Sequence, residues 1–112
     1  MQRDDSVYPK HIRDSIAKIQ AYTKSLNKAS FLKDTLVQDA VIRQIEIIGE
    51  ATKRLSEEIR AQHAGIPWQD ISGMRNKLIH DYFGVDIEKV WLTVRDDIPL
   101  LKKEISGILK TL

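Results

Sequence analysis

Residues 91 to 112, WLTVRDDIPLLKKEISGILKTL, carry apolar residues at alternating steps of three and four. The series is Trp91, Val94, Ile98, Leu101, Ile105, Ile108 and Leu112. This spacing is the heptad seam that one helix of a bundle presents to its neighbours. Pro99 lies inside the segment, and it predicts a kink because its missing N–H removes one helical hydrogen bond. The segment therefore predicts a long, kinked helix that belongs to a helical bundle.

Two further helices are predicted toward the N-terminus. The first runs from about Ser6 to Leu26, and a turn at Asn27 to Ser30 separates it from a second helix over about Phe31 to Ala61. The second helix carries one broad apolar stripe, made of Leu36, Ala40, Val41, Ile45, Ile48, Ala51, Leu55 and Ile59. Ile42 and Ile47 fall outside this stripe, and a helix that is apolar on more than one side usually packs against more than one neighbour. A second copy of the chain would be such a neighbour, which favours a homodimer.

A shorter helical region is expected before the last helix. Gly65 and Pro67 break the preceding pattern, Gly73 divides the short region into two pieces, and Gly84 ends it. Asp86 then stands where the N-cap of the last helix belongs. The expected architecture is all-α: an antiparallel four-helix bundle with an additional short helix, in a single domain over residues 1–112.

The composition is that of a globular protein and limits its compartment. The 112 residues are 42% hydrophobic and 30% charged, with a formal net charge of +2, which permits an anionic partner without requiring one. The absence of cysteine excludes disulfides and thiolate metal sites. The N-terminus lacks the apolar core of a signal peptide, and no stretch approaches the roughly 18 apolar residues of a membrane helix. We therefore expect a soluble cytoplasmic protein with no membrane partner.

The stretch GMRNKLIHDYFG, residues 73 to 84, concentrates side chains that could carry chemistry. If residues 74 to 82 are helical, Asn76 and His80 share one face, whereas Arg75 and His80 lie about 140° apart. An arginine fork matches phosphate oxygens, and a histidine can give or take a proton at cellular pH. No metal-ligand spacing such as HExxH is present. Arginine and histidine without a metal favour RNA over DNA, because RNA supplies its own nucleophile, the 2′-OH.

A plainer interpretation of the same residues stays open at this point. Arginine and histidine on a helix rim are more often solvated surface residues than catalytic ones. His11 and His63 have no obvious partners in the sequence, and we interpret them as surface residues. The heptad seam by itself would also fit a purely structural bundle.

The sequence resembles the HEPN superfamily, specifically the HepT-like toxins of HepT/MntA toxin–antitoxin systems. The family motif in this branch is R-x4-H-x-Y, and residues 75 to 82, RNKLIHDY, match it in register. The blocks IIGEATKRL (residues 47 to 55), IPWQDISGMRN (66 to 76) and VDIEKVWLTVRDDIPLL (85 to 101) also look like family blocks. The resemblance covers nearly the whole chain.

The resemblance implies an all-α HEPN fold and a homodimer whose two motifs meet in a cleft at the interface. It implies a metal-independent endoribonuclease without a cofactor, in which Arg75 and His80 are the catalytic pair and Asn76 supports them. Arg75 of one chain could then act together with His80 of the other chain. The expected products are a 2′,3′-cyclic phosphate and a 5′-hydroxyl.

The resemblance also implies a protein partner. Tyr82 matches the tyrosine that the antitoxin, a minimal (MNT-type) nucleotidyltransferase, modifies with AMP from ATP and magnesium. An adenylate two residues from His80 would add bulk and negative charge, which both oppose RNA binding. The alternative is a non-catalytic helical protein that presents substrates to a nucleotidyltransferase.

Overall fold

The structure is a computed structural model that describes residues 5–81 and 84–112, with only the backbone described at 77–81 and 84. The elements in this part of the chain are α1 (Val7–Thr23), α2 (Lys28–Phe31), α3 (Thr35–Lys53), α4 (Glu57–Gln62), α5 (Trp68–Ser72), α6 (Met74–Leu78), β1 (Ile79–Asp81), β2 (Gly84–Val85), α7 (Ile87–Leu92), a π-helical segment (Thr93–Asp97) and α8 (Ile98–Lys110). The two short strands pair antiparallel, with Ile79 opposite Val85. The predicted all-α class is confirmed, with this small ribbon added.

Helix α3 lies at the centre of the fold. It packs against α1 along much of its length and also contacts α5, α6 and α7, while α8 packs on α1. Isoleucines from three helices fill the core between them, and those almost completely buried are Ile12, Ile16, Ile19, Ile45, Ile48, Ile98, Ile105 and Ile108. The heptad seam of the last helix is therefore the face that closes the core.

The single helix predicted over Phe31 to Ala61 is wrong, because two side chains begin new helices inside it. The Asp34 carboxylate accepts a hydrogen bond from the N–H of Val37, and the Ser56 hydroxyl accepts one from the N–H of Ile59. Such N-caps satisfy backbone donors that a helix start leaves without partners. The predicted stretch is thus divided among α2, α3 and α4.

The predicted turn at Asn27 to Ser30 is also wrong, since α2 begins there. Asn27 and Ser30 form a reciprocal capping box in which each side chain accepts the other's backbone N–H at 2.9 Å. This box starts a four-residue helix whose last residue, Phe31, is fully buried.

The predicted stripe of the second helix is wrong at its first residue. Leu36 is 80% exposed, whereas Gln38 is buried and donates from Nε2 to the Phe31 carbonyl at 2.9 Å. Ile42, which fell outside the stripe, packs against the core of its own chain. Ile42 is thus partly covered by its own chain, and Ile47 is half-buried as well. The burial of these two residues does not test the homodimer, which stays a prediction.

The boundaries predicted at Gly73 and Asp86 agree with the structure. Gly73 separates α5 from α6, and Asp86 caps α7 by accepting from the N–H of Lys89 at 3.2 Å. Pro99 is preceded by the π-helical segment, so the backbone bonding pattern changes close to the position where the proline predicts a disturbance.

No helix in residues 5–81 and 84–112 combines the length and apolar character needed to cross a membrane.

Candidate active site

Arg75 and Asn76 lie at the start of α6, where both side chains are exposed. Helix α5 ends immediately before them at Gly73, whose N–H donates to the Gln69 carbonyl at 3.0 Å. The short α5–α6 pair therefore presents Arg75 to solvent.

Gly49 on α3 allows the end of α5 to approach closely. A Cβ at this position would lie 3.1 Å from the carbonyl oxygen of Ser72. Gly49 is buried, and Ser72 precedes Arg75 by three residues. The missing side chain at Gly49 therefore helps to set where α6 and its arginine begin relative to α3.

We expect Gly49→Ala to lower the free energy of unfolding by about 1–3 kcal/mol, because the methyl group must displace a backbone oxygen. Gly107→Ala on α8 is the matched control, since nothing lies within 4 Å of the Cβ that it would add. That variant should raise the free energy of unfolding by about 0.5–1 kcal/mol, the usual gain of alanine over glycine inside a helix. Urea unfolding of both proteins measures the two values. An equal rise in the free energy of unfolding of both variants would contradict the close packing at Gly49.

Arg75 is joined to α3 through Glu46. Arg75 Nε lies 3.2 Å from Glu46 Oε1, and the other carboxylate oxygen, Oε2, lies 3.6 Å from an Nη atom of Arg43. The Arg75 side chain is 48% exposed and that of Glu46 31%. We call these three residues the Arg43–Glu46–Arg75 cluster.

The structure describes only part of the predicted motif. Arg75 and Asn76 are adjacent and exposed, while His80 belongs to β1 and its side chain is not among those described. Tyr82 lies outside the described residues. The helix assumed over residues 74 to 82 is wrong after Leu78, so helical rotation does not separate Arg75 from His80. That Arg75 and His80 act together stays a prediction.

Sequence reasoning missed Glu46 and Arg43. Their spacing of three residues on a helix is a visible signal for an ion pair with each other. The contact of Glu46 with Arg75 crosses 29 positions of sequence and depends on how α6 packs against α3. No local pattern indicates such a contact.

A cleft of about 690 Å³ lies between α5, the first residue of α6, α7, the π-helical segment and α8, and its lining does not include the Arg43–Glu46–Arg75 cluster. Its lining combines apolar side chains, such as Ile71, Met74 and Leu100, with three acidic residues and one lysine. Acidic side chains disfavour a phosphate chain, so the Arg75 surface suits RNA better. Among the described residues, no three His, Asp or Glu side chains cluster as a metal site.

Comparison with known proteins identifies the family. The family model described as "Ribonuclease HepT-like" matches residues 12–108. "Gamma-glutamylcyclotransferase and putative RNase" of Methanocaldococcus jannaschii is 46% identical over 112 residues, which are all of this chain but only 50% of that relative. "Probable ribonuclease HepT" of Thermococcus cleftensis is 42% identical over 110 residues, covering 98% of this chain and 100% of the relative. No solved structure gave a significant match. The chain belongs to the HepT-like ribonuclease family.

Proposed function

We propose that this protein is a metal-independent endoribonuclease that cleaves RNA through its R-x4-H-x-Y motif. The observation that carries the proposal is Arg75, which stands exposed at the start of α6 as the first residue of that motif in a member of the HepT-like family. The names of the relatives, "Probable ribonuclease HepT" among them, support the same activity. We also propose a cytoplasmic location, because the proposed substrate is RNA.

The proposed reaction is an internal transesterification. The 2′-oxygen attacks the neighbouring phosphorus, the bond from phosphorus to the 5′-oxygen breaks, and a 2′,3′-cyclic phosphate and a 5′-hydroxyl result. Arg75 stabilises the negative charge of the pentacoordinate phosphorane. His80 acts as general base on the 2′-hydroxyl or as general acid on the leaving oxygen. In a homodimer, the two histidines could divide these roles across the interface.

The proposed biological role is that of a toxin in a toxin–antitoxin pair. Its partner would be an MNT-type nucleotidyltransferase that transfers AMP from ATP to the Tyr82 hydroxyl and releases pyrophosphate. The added phosphate and adenosine would crowd the motif and repel the RNA backbone.

The chemistry is tested with purified protein, a short RNA and a chelator in the buffer. We expect cleavage that continues with EDTA present and yields 3′ fragments with 5′-hydroxyl ends, which a kinase can label directly. The same oligonucleotide with 2′-deoxyribose at the cleaved position should stay intact, because it lacks the nucleophile. Cleavage of that deoxy substrate at the same bond would overturn the transesterification.

The regulation has a separate test. Incubation with the proposed MNT-type nucleotidyltransferase partner, ATP and magnesium should raise the intact mass by one or more AMP units and inhibit cleavage. Tyr82→Phe should keep the ribonuclease activity and gain no mass, because only the acceptor hydroxyl is lost. AMP transfer to Tyr82→Phe at the wild-type rate would place the modification elsewhere.

A further inference from the structure

Arg43 shares a carboxylate with the arginine that we propose to be catalytic. The two oxygens of Glu46 each face a different guanidinium, Arg75 Nε at 3.2 Å and an Nη atom of Arg43 at 3.6 Å. A guanidinium has five N–H donors, so these contacts leave each arginine able to bind a second anion as well. The two guanidiniums are therefore joined through a single carboxylate on one surface, where one nucleic-acid strand can contact both.

The charges of the cluster suit a polyanion. Two guanidiniums and one carboxylate leave one net positive charge, and Glu46 offsets the repulsion between its two neighbours. The Arg43 side chain is 68% exposed, so solvent and ligands reach it. An exposed ion pair of this kind contributes little to folding, and stability therefore does not account for the arrangement.

Helix α3 holds the cluster in place. Ile45 and Ile48, on either side of Glu46, are fully buried. Gly49, one residue further along, allows the close approach of the Ser72 carbonyl. Buried neighbours therefore fix the backbone of α3 at Glu46, whose side chain contacts the two longer arginine side chains.

We propose that Arg43 and Arg75, held by Glu46, bind two successive phosphates of single-stranded RNA, with Arg75 at the scissile phosphate and Arg43 at an adjacent one. Glu46 is a positioning residue for both arginines. This inference rests on the proposed function for the role of Arg75, and it adds a second phosphate-binding residue on a different helix.

The test uses the full-length protein and an oligonucleotide that the wild type cleaves at a single ribonucleotide. In turn, an uncharged methylphosphonate replaces the linkage on each side of the scissile bond. Arg43→Ala is compared with Arg13→Ala, which removes the same charge from an exposed arginine on α1 that is also paired with one acid. Steady-state cleavage gives kcat and KM, and fluorescence anisotropy of labelled RNA gives Kd.

We expect Arg43→Ala to raise KM about tenfold with kcat within about twofold, as the loss of one phosphate contact predicts, and to reduce the salt slope of log Kd by about 0.7. A methylphosphonate at one of the two flanking linkages should raise the KM of the wild type by a similar factor and leave the KM of Arg43→Ala unchanged. Arg13→Ala should behave as the wild type. Equal effects of each methylphosphonate on all three proteins would overturn the proposal.

Binding separates this inference from the proposed activity. If the wild type binds RNA but does not cleave it, a Kd that depends on Arg43 still supports the two-phosphate site while the ribonuclease proposal fails. If the wild type cleaves RNA and Arg43→Ala matches Arg13→Ala, the ribonuclease proposal stands and the two-phosphate site fails.

Glu46→Gln tests the positioning role, because glutamine keeps the shape and loses the charge. We expect kcat to fall about tenfold with little change in thermal stability, since two arginines then compete for one neutral acceptor. If Glu46 had only a structural role, Glu46→Gln would lower the thermal stability instead. Faster cleavage by Glu46→Gln would overturn the positioning role and make Glu46 a competitor of RNA for Arg75.

Discussion

RNA cleavage is expected to fall by about 100-fold or more in Arg75→Ala, and by a similar factor in His80→Ala. Arg75→Ala removes the fixed positive charge that we propose to face the phosphorane. The interaction of this charge with the phosphorane is stronger in the transition state than in the bound substrate. The loss should therefore appear mainly in kcat. Single-turnover cleavage of a labelled RNA, with protein in excess, measures this step directly.

The folded state should survive Arg75→Ala. The Arg75 side chain is half-exposed and its ion pair with Glu46 lies near the surface, so losing it should change the free energy of unfolding by less than about 1 kcal/mol. Arg75→Lys keeps the charge without the planar fork, and we expect an intermediate rate. Arg13→Ala removes an equivalent surface charge and should cleave at the wild-type rate.

Two results would contradict this assignment. Wild-type cleavage by His80→Ala in a chelating buffer would remove the proton carrier from the scheme. A loss of activity in Arg75→Ala that follows a loss of thermal stability would indicate a structural arginine. Thermal unfolding of each variant, recorded beside the kinetics, distinguishes the second result from a catalytic effect.

The motif could be recognised in the sequence because its residues are close together in the chain, while the role of each residue stays a prediction. The RNKLIHDY segment and the type of each side chain are visible without a structure, and the family comparison then confirms the family. Glu46 could not be found in this way, since its contact with Arg75 exists only after α6 packs against α3. Long-range contacts of this kind depend on tertiary packing, which a local pattern does not contain.

The helix boundaries show a different limit of pattern reading. Apolar spacing continues through Asp34 and Ser56, and periodicity alone therefore predicts one long helix. Each of these side chains instead accepts the N–H three residues later and starts a new helix. Capping residues compete with the helical backbone bonds, and they decide the boundary although the apolar pattern continues across it.

The position of the N-cap at Asp34 also explains why Gln38 is buried and Leu36 is exposed. Once Asp34 caps α3, Leu36 lies in the first turn and faces solvent, while Gln38 points inward and satisfies the Phe31 carbonyl. A buried amide is tolerated there because it has a partner. Hydrophobicity alone predicts the opposite burial for these two residues.

Phe31→Ala is therefore expected to lower the free energy of unfolding by about 3–5 kcal/mol, a large fraction of the roughly 5–15 kcal/mol of a typical domain. Phe31 is completely buried and its ring centroid lies 5.2 Å from that of Trp91. The capping box of α2 involves other side chains, so the loss should come from the cavity rather than from the helix. Urea denaturation followed by circular dichroism measures the change.

Leu36→Ala is the matched control for this substitution, because it truncates a large apolar side chain five residues away that is 80% exposed. It should change the free energy of unfolding by less than about 0.5 kcal/mol. The periodic pattern predicts that Leu36→Ala also creates a core cavity, whereas the structure predicts a large difference between the two variants. A loss of several kcal/mol in Leu36→Ala would mean that a neighbour covers this leucine, and its dependence on protein concentration would then identify a second copy of the chain as that neighbour.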